Sequence, residues 1–217
     1  PEDYMTLLAQ SISRLNRTSG HRQQSLAASS FDAWTKFYKQ DENAPNAIVS
    51  YYGKGSLVAF GLDMKIRRAS ADRLSLDDLM RAVWATYGRT HTPVPEHGIE
   101  AIAEQLCGAD ALGTFFADFV HDTRELPLDD WLAAVGIEAR YRAPRKPDDL
   151  GGYVSGWSEE EPAQVSLGIT TAAGRDGLLQ IRQVLDDGVG QRVGLAPRDL
   201  LVAWNGLRIT ADGLPKL

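Results

Sequence analysis

The chain has 217 residues, of which 43% are hydrophobic and 24% charged, a balance that supports a folded core. Its net charge of −6 and pI near 5.2 argue against a nucleic-acid partner, because nucleic-acid-binding faces are basic. No apolar run approaches the roughly 18–20 residues that cross a bilayer, and the N-terminus shows no signal segment. We therefore expect a soluble protein without nucleic-acid or membrane partners, whose compartment the sequence does not indicate. Because the chain begins with Pro1, we also expect a fragment with its natural N-terminus elsewhere.

The first two thirds of the chain have apolar residues at helical spacing. Acidic residues near Pro1 and the spacing that follows predict a helix to Asn16. Ser75 followed by acids is typical of a helix start. The remaining predicted helices cover residues 24–39, 51–68, 96–106, 109–120 and 127–135.

The stretch from Asp41 to Arg68 couples a polar, proline-containing loop to a long helix that begins at a tyrosine pair. A helical wheel places Tyr51 on the same stripe as Val58, Leu62 and Ile66, which predicts the core face. Tyr52 falls off that stripe. It is therefore expected to face a partly polar surface, as the wall of a cleft would.

The character of the sequence changes after residue 136. Residues 137–141 alternate like a strand, and residues 143–150 have the proline and charge content of a linker. Further strands are predicted at residues 165–169, 177–184, 199–204 and 207–209, with Asn205-Gly206 as a tight hairpin. We therefore predict a mainly α-helical domain over 1–142, a linker over 143–150 and a small β domain over 151–217.

Several kinds of chemistry lack the residues that they need. The four histidines, His21, His91, His97 and His121, form no HExxH and no i, i+4 pair, so we expect no metal site in this chain. Cys107 has no histidine beside it, and no GxSxG, P-loop or GxGxxG occurs. Tyr52 remains as a candidate, since a protonated phenol can donate a hydrogen bond to a developing oxyanion.

The segments Gln24–Trp34, Asp41–Asn46 and Val49–Gly55 resemble the region that follows the zinc motif in glycyl aminopeptidase-like metallopeptidases, peptidase family sixty-one. These enzymes combine a thermolysin-like catalytic region with a C-terminal PDZ domain. The resemblance implies that Tyr52 is the catalytic tyrosine, whose hydroxyl stabilises the tetrahedral intermediate formed when zinc-activated water attacks a peptide bond. It gives Lys54 and Gly55 packing roles, with Gly55 allowing another element to approach closely. The substrate-binding loop would include Asp41, Glu42 and Asn43.

The C-terminal part resembles a bacterial PDZ domain. The loop Ser166, Leu167, Gly168 and Ile169 matches the segment that receives a ligand's terminal carboxylate, and the small-residue stretch Gly188–Leu195 follows it. Arg198 departs from the pattern, because glycine is more common at that place. The domain is expected to be incomplete, because the chain ends near Leu217, where the second wall of the groove should begin.

Two functions remain open. The chain is either the C-terminal part of a zinc-dependent aminopeptidase, inactive alone because the zinc ligands lie upstream, or a non-enzymatic scaffold whose PDZ-like domain binds peptide C-termini. The first implies peptide or protein substrates and zinc in the longer parent, with no cofactor in this chain. A third possibility, zinc binding by this chain alone, is not expected.

Overall fold

Residues 1–146, 148–156 and 165–209 are described by a computed structural model of the chain. The first helices are α1 (Glu2–Asn16), α2 (Leu26–Phe31), α3 (Ala44–Ala47) and α4 (Tyr51–Ser70). The next are α5 (Leu76–Val83), α6 (Gly98–Cys107), α7 (Ala109–Leu112) and α8 (Leu128–Ala133). The C-terminal elements are β1 (Ile169–Ala173), β2 (Leu179–Val184), α9 (Val189–Arg192), β3 (Leu200–Leu201), β4 (Ala203–Trp204) and β5 (Leu207–Arg208). Within these ranges no helix is long and apolar enough to cross a membrane.

Two compact units make up the chain. The helical unit contains Ser25–Ser30 and Ser50–Tyr141. The mixed unit contains Pro1–Gln24, Phe31–Val49 and the described residues from Arg142 onward. The mixed unit therefore combines the N-terminal helices with the C-terminal sheet.

Helix α4 is the central element of the helical unit. Ile66 on this helix is fully buried, and Val58 and Leu62 are nearly so, which confirms these members of the predicted apolar stripe. Leu57, which was not predicted, is also fully buried. Gly61 lies against Trp131 of α8, where an added Cβ would lie 2.4 Å from the indole ring. The same core includes further side chains of the later helices: Leu79, Ile102, Leu112, Phe115, Phe119 and Leu132.

The start of α5 confirms the predicted cap at Ser75. The Ser75 side chain and the Asp78 carboxylate form a reciprocal capping box, in which the Ser75 N–H donates to Asp78 at 2.9 Å. The Asp63 carboxylate of α4 accepts from the Leu76 N–H at 2.7 Å. These contacts satisfy N–H groups at the start of α5 and tie it to α4.

The sheet of the mixed unit is antiparallel, with the order β1-β2-β3. β4 and β5 form a separate hairpin in which Trp204 pairs with Leu207. The turn residues Asn205 and Gly206 have φ values of 50° and 81°, so the predicted tight hairpin is confirmed.

The predicted linker follows an irregular path that is fastened by hydrogen bonds. Arg142 pairs with the Asp149 carboxylate at 2.7 Å, and the N–H groups of Arg145 and Gly151 donate to the same carboxylate. The Arg142 hydrogen bond, followed by these two backbone donors, holds the pKa of Asp149 well below its usual range. Ser13 of α1 donates to the Leu150 carbonyl at 2.8 Å.

Several predicted elements differ from the structure, and among them the strand predicted over 165–169 begins only at Ile169. The helix predicted over 24–39 is confined to α2, followed by turns and a short 3₁₀ segment, Phe37–Lys39. The helix predicted over 109–120 breaks after α7 because Gly113 has φ 56° and ψ −126°, a conformation outside any helix. Residues 137–141 form no strand. Residues 210–217, the end of the predicted 151–217 β domain, lie outside the described residues.

Candidate active site

The tyrosine pair lies at the entrance of α4, as predicted. Ser50 caps this helix, and its hydroxyl accepts a hydrogen bond from the Gly53 N–H at 3.1 Å. The rings of Tyr51 and Tyr52 lie against each other, with centroids 4.2 Å apart and planes at 33°. The cap and the ring contact together fix the first turn, from which both tyrosines project.

Tyr52 is the exposed member of the pair. Its side chain is 62% exposed, whereas Tyr51 is half-buried. Ser56, one turn further along α4, is also exposed. The phenol of Tyr52 therefore projects from the surface of the helical unit, where its hydroxyl can meet an incoming molecule.

Lys54, two residues further on, is buried to 1% exposure. Burial lowers the pKa of its ammonium group, while the nearby carboxylates of Glu125 and Asp122 oppose that change. The sequence suggested packing for Lys54 but gave no sign that a charged side chain would be among the most buried in the protein. One turn of α4 thus carries an exposed phenol and a buried ammonium group.

The residues predicted to bind substrate in the 41–46 loop make contacts inside the mixed unit. The Asp41 carboxylate accepts from the Asn43 N–H at 2.9 Å, and Glu42 pairs with Arg198 at 3.0 Å. The Asn43 side chain accepts from the Asn46 amide at 3.1 Å. A substrate role for Asp41, Glu42 and Asn43 stays a prediction, since these contacts neither require nor prevent it.

Asn46 is a structural residue that sequence reasoning missed. Its buried amide donates to the Val184 carbonyl at 2.8 Å and accepts from the Asp186 N–H at 3.0 Å. Ser19 adds a hydrogen bond to the Asp186 carboxylate at 2.6 Å. The polar loop therefore connects the N-terminal helices to the end of β2. Asparagine next to proline is common in turns, so nothing in the sequence pointed to this contact.

The predicted peptide-binding segment runs from an exposed Ser166 into the first strand. Its Ser166 hydroxyl accepts from the Gly168 N–H at 3.1 Å, and the Leu167 carbonyl accepts from the Gly190 N–H at 2.7 Å. Gly168 has φ 68°, and an added Cβ would lie 2.8 Å from the Gly188 Cα. Ile169 opens β1, which pairs with β2 on one side and is an edge strand among the described residues.

A group of possible metal ligands occurs elsewhere in the helical unit. The side chains of His97, Glu100 and His121 place one ligand atom each within 4.8 Å of one another. Among the described residues, His97, Glu100 and His121 are the group of three side chains that could hold a metal ion. Tyr52 is not part of this group. The residues described around Tyr52 therefore do not make up a zinc site.

Comparisons with known proteins bear on the N-terminal region first. Residues 1–58 match the family model described as M61 glycyl aminopeptidase, a range that includes the 41–46 loop and Tyr52. A crystal structure of an aminopeptidase N family protein from Idiomarina loihiensis matches 99% of this chain at 34% identity, with a TM-score of 0.86. Residues 1–58 are thus similar to the M61 glycyl aminopeptidase family, and the similarity to an aminopeptidase N family structure extends over nearly the whole chain.

The chain spans 36% of the length of that Idiomarina loihiensis protein. No curated protein matches it. The M61 match ends at Val58, so Ser166–Ile169 lie outside it. The M61 match and the aminopeptidase N family structure together support a peptidase fragment, and the roles of individual side chains are matters for proposal.

Proposed function

We propose that this chain is the C-terminal part of a zinc-dependent aminopeptidase and that it supplies the tyrosine that stabilises the transition state. The observation that carries the proposal is the place of Tyr52: an exposed phenol on the capped first turn of α4, within the region that matches the M61 family. A hydroxyl held on a rigid helix end can be preorganised for charge that develops in the transition state.

The chemical role of Tyr52 is to donate a hydrogen bond. As a peptide carbonyl becomes tetrahedral, its oxygen gains negative charge, and a phenol O–H directed at that oxygen lowers the barrier. The ring of Tyr51 and the Ser50 cap restrict where the Tyr52 hydroxyl can point. Zinc would activate the attacking water in the longer protein, and residues outside this chain would hold it. The chain by itself is then inactive as a peptidase.

Tyr52→Phe in the longer protein tests this role. Removing one oxyanion donor typically lowers kcat by about 10²–10³-fold, and we expect a loss of this size with a much smaller change in KM. The measurement is steady-state hydrolysis of aminoacyl peptides. Because Tyr52 is exposed, the variant should keep its stability within about 0.5 kcal/mol.

Tyr51→Phe is the matched control, because it removes the same hydroxyl from the half-buried partner of the ring pair. It should retain nearly all of the activity. An unchanged kcat in Tyr52→Phe, with the fold intact, would remove the catalytic assignment.

The C-terminal sheet is proposed to be a PDZ-like module that takes a peptide C-terminus. Support comes from the glycine turn at Gly168 and from the edge position of β1, beside which an extended peptide can add a strand. Ser166, Leu167, Gly168 and Ile169 would then contact the ligand. The substrate side of the proposal assigns Asp41, Glu42 and Asn43 to the border of the cleft in the longer protein.

The alternative function is a scaffold without catalysis, and the same edge strand favours it. The two proposals differ in what the longer protein does. A scaffold would hydrolyse no peptide, with or without Tyr52, and would still bind peptides through the C-terminal sheet.

A further inference from the structure

Three side chains with metal-binding atoms converge on the surface of the helical unit. His97 immediately precedes α6, and Glu100 lies in the first turn of that helix. His121 closes the π-helical segment Ala117–His121. Glu100 is separated from His121 by 21 positions in the sequence. The fold brings the three side chains together, and no local sequence motif indicates the group.

The Glu100 carboxylate lies between the two imidazoles. One oxygen is 2.6 Å from His121 Nε2, and the other is 3.2 Å from His97 Nδ1. The two rings are edge-on to each other, with centroids 5.5 Å apart. Both histidines thus present a ring nitrogen to the same carboxylate, and all three ligand atoms lie within 4.8 Å of one another.

These separations suit a tetrahedral zinc ion. Zinc lies about 2.0–2.2 Å from imidazole nitrogens and carboxylate oxygens, which places its ligand atoms roughly 3.3–3.6 Å apart. The observed distances of 2.6 and 3.2 Å and the limit of 4.8 Å bracket that range. Side-chain adjustment would bring the three ligand atoms to this spacing, and two imidazoles with one carboxylate are a donor set that zinc accepts.

The group is open to solvent on one side. The Glu100 side chain is 22% exposed and that of His121 37%, whereas that of His97 is 64% exposed. An ion can therefore reach the group without any opening of the fold, and water can complete its coordination. Three protein ligands and one water fill a tetrahedral shell.

We propose that His97 Nδ1, the Glu100 carboxylate and His121 Nε2 bind one Zn²⁺ ion or a similar divalent transition-metal ion. The ion links the start of α6 to the end of the 117–121 segment. This site does not involve Tyr52, so its failure would leave the proposed peptidase role untouched. It runs against the expectation from sequence that this chain holds no metal, and one experiment decides between the two.

The experiment is a calorimetric titration of the 217-residue chain, stripped with EDTA and exchanged into a non-chelating buffer, with ZnCl₂ as the only ligand. We expect one Zn²⁺ per chain. Glu100→Gln and His121→Ala should each weaken binding by at least about tenfold, since even an outer-shell partner contributes this much to metal affinity. Glu100→Gln keeps the size of the side chain, and circular dichroism would show that the fold is retained.

His91→Asn is the control. This histidine lies on the exposed 89–95 loop outside the group, and asparagine tolerates its φ of 52°. The control should bind zinc as the unaltered chain does. Absence of binding, or equal binding by Glu100→Gln and the unaltered chain, would overturn the proposal and leave the three side chains as a hydrogen-bonded surface group only.

Discussion

Lys54 shows how a single residue can oppose the stability of its own helix. Burial lowers the pKa of this lysine, so the folded state binds its proton less readily than the unfolded state does. Below the folded pKa the charged ammonium group therefore destabilises the fold. As the pH rises toward the ordinary lysine value of 10.5, the lysine loses its proton more readily in the folded state, and stability increases.

Two substitutions of Lys54 separate charge from volume. Lys54→Met removes the charge and keeps the length, but it also removes the cation near the Glu125 and Asp122 carboxylates. We therefore expect it to lower the free energy of unfolding at neutral pH by less than Lys54→Ala does. Lys54→Ala leaves a cavity and should cost about 2–4 kcal/mol. Urea denaturation between pH 7 and pH 10 measures both effects. The rise in stability with pH should disappear in Lys54→Met, and its persistence there would show that another group causes it.

The exposure and contacts of individual side chains were only partly predictable from the sequence. The helical wheel separated Tyr51 from an exposed Tyr52, because Tyr52 lies on a face of α4 away from the apolar stripe. It could not reveal the burial of Lys54, since charged residues are almost never fully buried. The contact between His121 and Glu100 was not predictable, because it depends on the packing of two segments that are far apart in the chain.

At the scale of elements, α4 owes its packing against α8 to one glycine. The family resemblance implies close approach of another element at Gly55, but a Cβ there would meet Leu26 at an ordinary 3.6 Å. Gly61 is where such an atom would overlap the Trp131 ring, at 2.4 Å. Among the described residues, no element approaches Gly55 closely enough to require glycine, and the glycine that is required lies six residues further along.

Gly61→Ala and Gly55→Ala form a matched pair on the same helix. Both substitutions raise helix propensity, by roughly 0.5–1 kcal/mol. Only Gly61→Ala overpacks the core, which typically costs about 1–3 kcal/mol. We expect Gly61→Ala to lower the Tm and alter tryptophan fluorescence, and Gly55→Ala to keep or raise the Tm. Equal shifts in the two variants would contradict this account of the α4–α8 contact.

Elements with their own end signals were predictable, and elements that needed a partner were not. Ser75 and Asn205-Gly206 fixed a helix start and a hairpin through local hydrogen bonds and backbone preference. The helix predicted over 24–39 breaks where its apolar residues Phe31 and Trp34 stay exposed, at 91% and 78%. Most helical stability comes from packing of the apolar face, and among the described residues Phe31 and Trp34 have little of it.

At the scale of the whole molecule, Asn46 joins parts of the chain that are far apart in sequence. Its contact with Val184 spans 138 positions. Asn46→Ala would leave the buried Val184 carbonyl and the Asp186 N–H without this partner, and we expect a loss of about 2–4 kcal/mol in the free energy of unfolding. Urea denaturation followed by circular dichroism gives the value.

Asn43→Ala is the corresponding control, because this exposed side chain contributes one hydrogen bond to Asn46. It should cost no more than about 1 kcal/mol. A loss as large as that of Asn46→Ala would show that the loop itself, and not its contact with β2, determines the stability.

The division into units has a consequence for synthesis on the ribosome. Most of the helical unit is one continuous stretch, Ser50–Tyr141, whereas the mixed unit needs residues from both ends of the chain. The hydrogen bonds of Asn46 to Val184 and Asp186 cannot form until those later residues have been synthesised. The helical unit can therefore become native while α1 and the 41–46 loop are still unassembled. Closing so long a loop is slow, so the contacts of Asn46 with the end of β2 form after the helical unit.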